Sequence, residues 1–292
     1  MRQEPVSKGS QIILLGFWKA IRTPNASELW PPEHSSEGQE TDSLGISFDR
    51  VAEIYDDTRG LPLDVMDDVL EALSRELDKS ALVLDAGVGT GRFAQPLQAK
   101  GYQVVGVDIS EKMLDKAKEK KTTDLVRGDL RRLPFRDDVF GACLSVHVLH
   151  LISDWKKVLA EVGRVTTDKF VSVTTNHEES PAFAIRQTYE KACEELGFST
   201  HHVGLREREL PEVVAADSIR LVVVHEHPME VAQLISGLQN RIMSCLWRVP
   251  EDIHEQAIEA VKEEFEGVET LIESEAISLM VWKVDKLRNL NL

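Results

Sequence analysis

The run VLDAGVGTGRF at residues 83–93 sets an acid, Asp85, at the end of an apolar stretch and then glycine at every second position: Gly87, Gly89 and Gly91. Glycine turns the backbone tightly and lets a ligand approach with no Cβ in the way. The dinucleotide fingerprint G-x-G-x-x-G would need glycine at 92, where Arg92 stands, and no Gly-Lys-Ser/Thr closes a phosphate-binding loop. A loop that misses both phosphate signatures yet sits at the same strand-to-helix turn suggests a nucleoside ligand without pyrophosphate. Roughly twenty residues on, VVGVD ends in Asp108, a carboxylate placed to accept two hydrogen bonds from ribose hydroxyls. Asp108 fits a dinucleotide and a simple nucleoside equally, so it indicates adenosine-type recognition and does not choose between them.

Side chains that can move protons cluster after later apolar runs. His147 and His150 follow the run at 139–146, and His177 follows the run at 170–174. These three are the candidate general bases. His201 with His202 and His225 with His227 raise the question of a metal. The second pair would share one face of a strand, but no third ligand is evident, so no metal site is expected.

The elements that must position these groups alternate along the chain. Phe48–Tyr55 reads as a short helix, and Leu63, Met66, Leu70, Leu73 and Leu77 give a second one after Pro62. Strands are predicted over 81–84, 104–107, 124–126, 139–146 and 170–174, with helices over 91–100, 110 onward with Ser110 as N-cap, and 154–165. Continuous apolar strands alternating with helices indicate a parallel sheet covered on both faces. In such a sheet, ligands lie beyond the carboxyl ends of the strands where strand order reverses. The last third predicts a helix at 182–197, a strand at 219–225, long helices at 229–247 and 251–266 parted by Pro250, and a closing strand at 277–284. Its helices form a lid segment of about 176–267. The stretch LQNRIMSCLWRVP, 238–250, with Arg241, Met243 and Trp247, suits a pocket for an apolar or aromatic small molecule.

Composition bounds the partners. The chain has 292 residues, 42% hydrophobic, and a formal net charge of −16. Nucleic-acid binding needs a basic face, and KEKK at 118–121 alternates with acids on a helix, so neither nucleic acid nor an anionic membrane is expected. No stretch approaches the roughly 20 apolar residues of a membrane span. Cys143, Cys193 and Cys245 are odd in number and widely spaced, which fits a reduced, cytoplasmic setting. Residues 1–45 read as an N-terminal extension, with IILLGFW at 12–18 and a polar linker at 31–45. A single domain is expected over 46–292.

In order and spacing, DAGVGTG, VVGVDIS, GDLRRLPF and FGACLSVHVLHLI resemble the class I S-adenosylmethionine-dependent methyltransferases, with a likeness to the small-molecule branch that includes quinone-biosynthesis enzymes. The resemblance is strong over about 47–175 and looser beyond. It implies an α/β, Rossmann-like, seven-stranded, mostly parallel sheet with helices on both faces and a helical lid near the C-terminus. It implies S-adenosyl-L-methionine as cofactor. Gly87, Gly89 and Gly91, with Asp85 before them, match the loop against its methionine and ribose. Asp108 matches the ribose-binding acid, and Ile109 and Met113 the clamp on adenine. Asp129 matches the acid for the adenine amino group, beside the Leu130 N–H. Ser145 matches a position whose backbone faces the methionine amino group. The segment FDRVAEIYDDTRG resembles the family's entry segment, in which Tyr55 covers the cofactor and Arg59 pairs with its carboxylate. His150 matches a position often held by histidine. One departure stands out: Thr166–Lys169 replaces the family's Lys-Pro-Gly-Gly turn.

Transfer of an activated methyl group asks the protein mainly for orientation and a dry cavity, and for a base only if the acceptor must lose a proton. Two other readings remain: a non-catalytic protein that binds the cofactor for regulation, and an NAD-dependent oxidoreductase, against which Arg92 and the Asp129 motif argue.

Overall fold

The computed structural model describes residues 48–288 and Leu290. The expected extension at 1–45 lies outside them. Strand β1 (Leu82–Ala86) is nearly all buried. It pairs in parallel with β2 (Gln103–Asp108) on one side and β4 (Phe140–Ser145) on the other. Beyond β2 lies β3 (Leu125–Arg127), and beyond β4 lie β5 (Thr166–Asn176), β7 (Thr270–Lys283) and β6 (Ser218–Glu230), giving the order β3-β2-β1-β4-β5-β7-β6. The chain moves outward from β1 to β3 and then returns to the other side for β4. The reversal therefore falls between β1 and β4, and their carboxyl ends open a crevice there.

Successive residues of a strand point to opposite faces, and the apolar strands use both. Val83, Ala142, Val171 and Leu279 pack with α2 (Leu63–Glu76) through Val65, Val69 and Leu73. Their neighbours Leu84, Cys143, Phe170 and Met280 pack on the other side with α5 (Trp155–Val165) through Val158, Leu159 and Val162. Two cores thus sandwich one sheet. The preceding helix α1 (Tyr55–Arg59), with α3 (Ala94–Ala99) and α4 (Glu111–Glu119), fills the remaining turns. As expected, Ser110 caps α4: its Oγ accepts from the Met113 N–H at 3.2 Å.

The strand β7 runs antiparallel to both neighbours. It pairs with β5 only as far as Asn176↔Ala276 but with β6 to Glu230↔Thr270. A two-stranded ribbon therefore overhangs the carboxyl edge of the sheet. At its tip begins α8 (Val231–Gln239), which packs with α6 (Phe183–Glu195) and α9 (Glu251–Glu264) around a third apolar cluster that includes Ile185, Leu238, Leu246 and Ile258. This is the helical lid, held over the crevice by the ribbon. Within the range 176–267 lie also β6, where a strand is expected at 219–225, and the short α7 (Leu210–Val213).

Three expectations change. The helix at 229–247 is broken. Its first residues belong to β6, α8 ends at Gln239, and Arg241 takes a left-handed φ of 49° before a 3₁₀ turn at Ser244–Leu246. Side-chain bonds to the backbone hold the break: Arg241 donates to the carbonyls of Leu246 (3.0 Å) and Val249 (2.5 Å), and the Trp247 indole donates to that of Arg241 (2.7 Å). Such bonds outcompete the helix ladder. The helix read at 48–55 is instead a 3₁₀ turn at Phe48–Arg50 followed by α1. At Thr166–Lys169 there is no turn. Helix α5 runs straight into β5, and a register shift against β4 between Phe140 and Ala142 absorbs the extra residues. The Arg288 guanidinium, at the end of the last helix α10 (Val284–Arg288), steadies this junction by donating to the carbonyls of Gly163 (2.6 Å) and Thr166 (2.7 Å).

Candidate active site

The loop after β1 rests on β2. The N–H groups of Gly87 and Val88 both donate to the Val107 carbonyl, at 2.8 and 2.9 Å. All three glycines have positive φ: 83°, 53° and 75°. They serve different ends. A Cβ on Gly87 would sit 2.3 Å from Val148 Cγ2, and one on Gly91 would sit 2.3 Å from Thr122 Oγ1, so both admit neighbouring protein. A Cβ on Gly89 would meet nothing within 4 Å. The open space is in front of Gly89.

Asp108 defines the floor of that space. Its carboxylate accepts from the Gly89 N–H and the Ser110 N–H, both at 2.9 Å. Burial raises its pKa, and the N–H groups of Ser110, Gly89 and Ile109 oppose the rise. The cavity is lined by Tyr55, Gly87, Gly89, Asp108, Ile109 and Met113, and further round by Asp129, Leu130 and His147. Apolar walls with few convergent polar groups are what a nucleoside pocket requires. Asp129 is tied to Arg131, whose Nη2 donates at 2.7 Å; burial raises the pKa of the carboxyl, and the arginine overrides that to lower it.

Asp85 stands behind the loop, 3% exposed. Burial pushes its pKa up to about 7, the Asp108 carboxylate adds to this, and Arg92 and the Ala94 N–H oppose it. The sign follows directly. A folded-state pKa above the unfolded value near 3.9 means that stability is greatest below pH 4 and is lost as pH rises through about 7. Asp85→Asn is therefore expected to raise the melting temperature of the ligand-free protein at pH 8 by roughly 4 °C or more, for a gain of a few kcal/mol. At pH 4 and below thermal scans should find the two proteins nearly equal. A variant less stable at pH 8 would mean that the charge is already compensated.

A second cavity of about 250 Å³ adjoins the first. Phe48, Tyr55, Val146 and His147 line both, so they form the partition. Phe48 meets Tyr55 edge-on at 5.9 Å and Trp247 of the lid at 5.1 Å. His147 has φ 57° and lines both cavities; burial, then the nearby Arg92, lowers its pKa to about 3, so its imidazole is neutral at pH 7. His150 and His177 line the second cavity only. His150 lies 3.7 Å from Glu207 and edge-on to His202 at 4.7 Å, while His177 bonds Glu273 at 2.7 Å.

The remaining expected residues fall elsewhere. Arg59 lines the second cavity, not the first. Gly91, Asp85 and Ser145 support the loop from behind; the Ser145 hydroxyl is buried with no hydrogen-bond partner among the described residues. Arg241 does not line the second cavity, since its guanidinium is spent on the lid's own backbone and on Glu251 at 2.8 Å. His225 and His227 do stack on one strand face, 4.8 Å apart. Among the described residues no cluster of His, Cys, Asp and Glu has the makings of a metal site, and no helix is long and apolar enough to cross a membrane.

Glu207 escaped the sequence reading. It is 3% exposed, and its carboxylate accepts from the N–H groups of Val148 and of Leu149 (2.8 Å), which open the 3₁₀ turn carrying His150. Burial would raise its pKa; His150, His147 and the Val148 N–H outweigh that and hold it at about 2. Nothing in REREL at 206–210 signals this role. Arg186, Arg206 and Arg208 in the second cavity were missed for the same reason, since arginines spread over a helix and a loop show no motif.

Comparison with known proteins bears on the same residues. Residues 84–169 match the family described as "Methyltransferase domain". A malonyl-[acyl-carrier protein] O-methyltransferase from Hamiltonella defensa is 32% identical over 154 residues, 52% of this chain and 59% of that protein. One from Erwinia pyrifoliae is 35% identical over 125 residues, 42% of this chain and 47% of that protein. The chain thus spans about half the length of these curated relatives. A solved structure from Bacillus halodurans superposes with a TM-score of 0.50 at 16% identity, covering 76% of this chain and 99% of that one, which shows a shared fold.

Proposed function

We propose that the chain, whose residues 84–169 match the methyltransferase-domain family, is a class I S-adenosylmethionine-dependent methyltransferase that transfers a methyl group to a small-molecule acceptor. The observation that carries the proposal is the open space before Gly89, floored by Asp108 and walled by Ile109 and Met113. These residues fit an adenosine. Asp108 would take the ribose hydroxyls, Ile109, Met113 and Leu130 would hold the adenine, and Asp129 with the Leu130 N–H would meet its edge. Gly87 and Gly89 would lie along the methionine part, Gly91, Asp85 and Ser145 would shape the loop around it, and Tyr55 and Arg59 would close over its carboxylate. The bound cofactor supplies a methyl group on a positively charged sulfur.

The protein's part is positional. Phe48, Tyr55, Val146 and His147 bound both cavities and would exclude water where they meet. His147 is neutral at pH 7 but, with its pKa lowered to about 3, is a weak base, so it would accept a hydrogen bond from the acceptor more readily than take its proton. His150 and His177 flank the acceptor side and are the other candidates. The working domain is 46–292, with the lid elements of 176–267 covering the acceptor.

Incubation of the purified chain with methyl-labelled S-adenosylmethionine and a panel of small metabolites tests the proposal. Label in one metabolite, with S-adenosylhomocysteine formed in equal amount, is the expected result. Binding without transfer to any acceptor would favour the regulatory reading.

A further inference from the structure

The second cavity is lined by five arginines, Arg59, Arg92, Arg186, Arg206 and Arg208, against two carboxylates, Glu207 and Glu275. In a chain of net charge −16 this is a local reversal. Glu207 is already engaged by backbone N–H groups, and Glu275 lies 3.9 Å from His177. Arg206 and Arg208 are paired outside the cavity with Glu209 and with Glu178 (2.6 Å), whereas Arg59 and Arg92 form no ion pair among the described residues, Arg92 acting on Asp85 only through space. Burial lowers the pKa of Arg59, with Arg186 and Arg92 adding to it against Tyr55 and Cys245, whereas that of Arg186 is raised because Cys245 and Glu190 outweigh its burial. Burial likewise lowers that of Arg208, with Arg206 adding to it.

Arg186 is the best-placed of the five. It is fixed on α6, with Nε donating to Glu190 at 2.7 Å and its guanidinium 5.7 Å from the Phe183 ring. That leaves both terminal nitrogens, with four N–H donors, without an acceptor among the described residues. A pre-positioned planar fork recognises an oxyanion, which a lysine would attract only as a point charge. One anion, the cofactor carboxylate, accounts for Arg59 and not for Arg186.

We propose that the second cavity takes a methyl acceptor bearing an oxyanion group, a carboxylate or a phosphate monoester, seated on the free edge of Arg186 with Arg59 and Arg92 as neighbouring charges. The proposal rests on the cofactor reading above and narrows its substrate class. It replaces the apolar or aromatic acceptor expected from 238–250: of that stretch Met243, Ser244 and Cys245 line the cavity, while Trp247 packs on Phe48.

Calorimetry on the full chain saturated with S-adenosylhomocysteine tests it, using adipate, dimethyl adipate, phenyl phosphate and phenol as probes. Adipate or phenyl phosphate is expected to bind and its neutral counterpart is not; which anion binds identifies the group. Arg186→Gln should weaken that binding by about tenfold or more, and Arg186→Lys, which keeps the charge without the fork, by less. Affinity for S-adenosylhomocysteine should stay within about twofold and the melting temperature within about 2 °C in both variants. Equal binding of anionic and neutral probes, no anion bound at about 10 mM, or an unchanged affinity in Arg186→Gln would each overturn the proposal. A chain that does not bind S-adenosylhomocysteine would overturn the cofactor reading and this one with it, so the two failures are told apart by the first titration.

Discussion

Gly87→Ala is expected to weaken S-adenosylhomocysteine binding by about a hundredfold or more, near 2.7 kcal/mol. Two effects combine. At φ 83° an L side chain is strained by roughly 1–2 kcal/mol. The added Cβ would also lie 2.3 Å from Val148 Cγ2 and 3.1 Å from Cγ1. Val148 cannot yield easily, because its N–H is held by the buried Glu207. The loop must move instead, which breaks the shared bonds of Gly87 and Val88 to Val107 and shifts Gly89 off Asp108. Gly89→Ala isolates a different cause. Its Cβ clashes with nothing in the ligand-free protein, so beyond the strain of its φ any loss of affinity reports the space the ligand needs. Calorimetry and thermal melting on both variants check this. An unchanged affinity in Gly87→Ala would show that the loop position is not set by this contact.

Glu207→Leu is expected to be the most destabilising substitution near the site. It leaves the buried N–H groups of Val148 and Leu149 without an acceptor, each at about 1–3 kcal/mol. A total of about 3–5 kcal/mol lowers the melting temperature by roughly 6–15 °C. Glu207→Gln keeps an acceptor oxygen and should lose less. The pH dependence separates charge from shape. Because the folded-state pKa, about 2, is depressed below the unfolded value, the carboxylate's contribution is complete above about pH 4.5 and is lost as pH falls through 2. The gap between wild type and Glu207→Gln should therefore narrow in acid. A constant gap from pH 7 to pH 3 would assign the stabilisation to packing. Transfer activity should fall in both variants at neutral pH, because the same carboxylate fixes the turn that carries His150 and directly follows His147.

How far the sequence could be read follows from where each signal is stored. β1, β2 and β4 are buried on both faces, so their apolar runs mark them plainly, and the glycine loop and Asp108 follow at fixed distances. The cradle was therefore legible. The overhanging ribbon was not: Glu226–Glu230 and Thr270–Ser274 are half exposed, carry no apolar run, and include Pro228, which an edge strand tolerates. The break at Asn240–Arg241 was hidden because the stripe Leu238, Ile242, Leu246 keeps helical spacing while hydrogen bonds donated by the Arg241 side chain to the Leu246 and Val249 carbonyls decide otherwise. The second cavity is assembled from α1, α6, the loop before α7 and the lid turn. Only folding brings Arg59, Arg186 and Arg206 together, so no window of sequence contains their pattern.

The account stands on what the space before Gly89 holds. Titration of the purified full chain with S-adenosylhomocysteine, and separately with NAD, measures this most directly. The prediction is one S-adenosylhomocysteine site per chain with a dissociation constant of about 1–100 μM, weakened about a hundredfold or more by Gly87→Ala, and no heat from NAD. Saturable binding of NAD, or silence toward S-adenosylhomocysteine at about 1 mM, would contradict it.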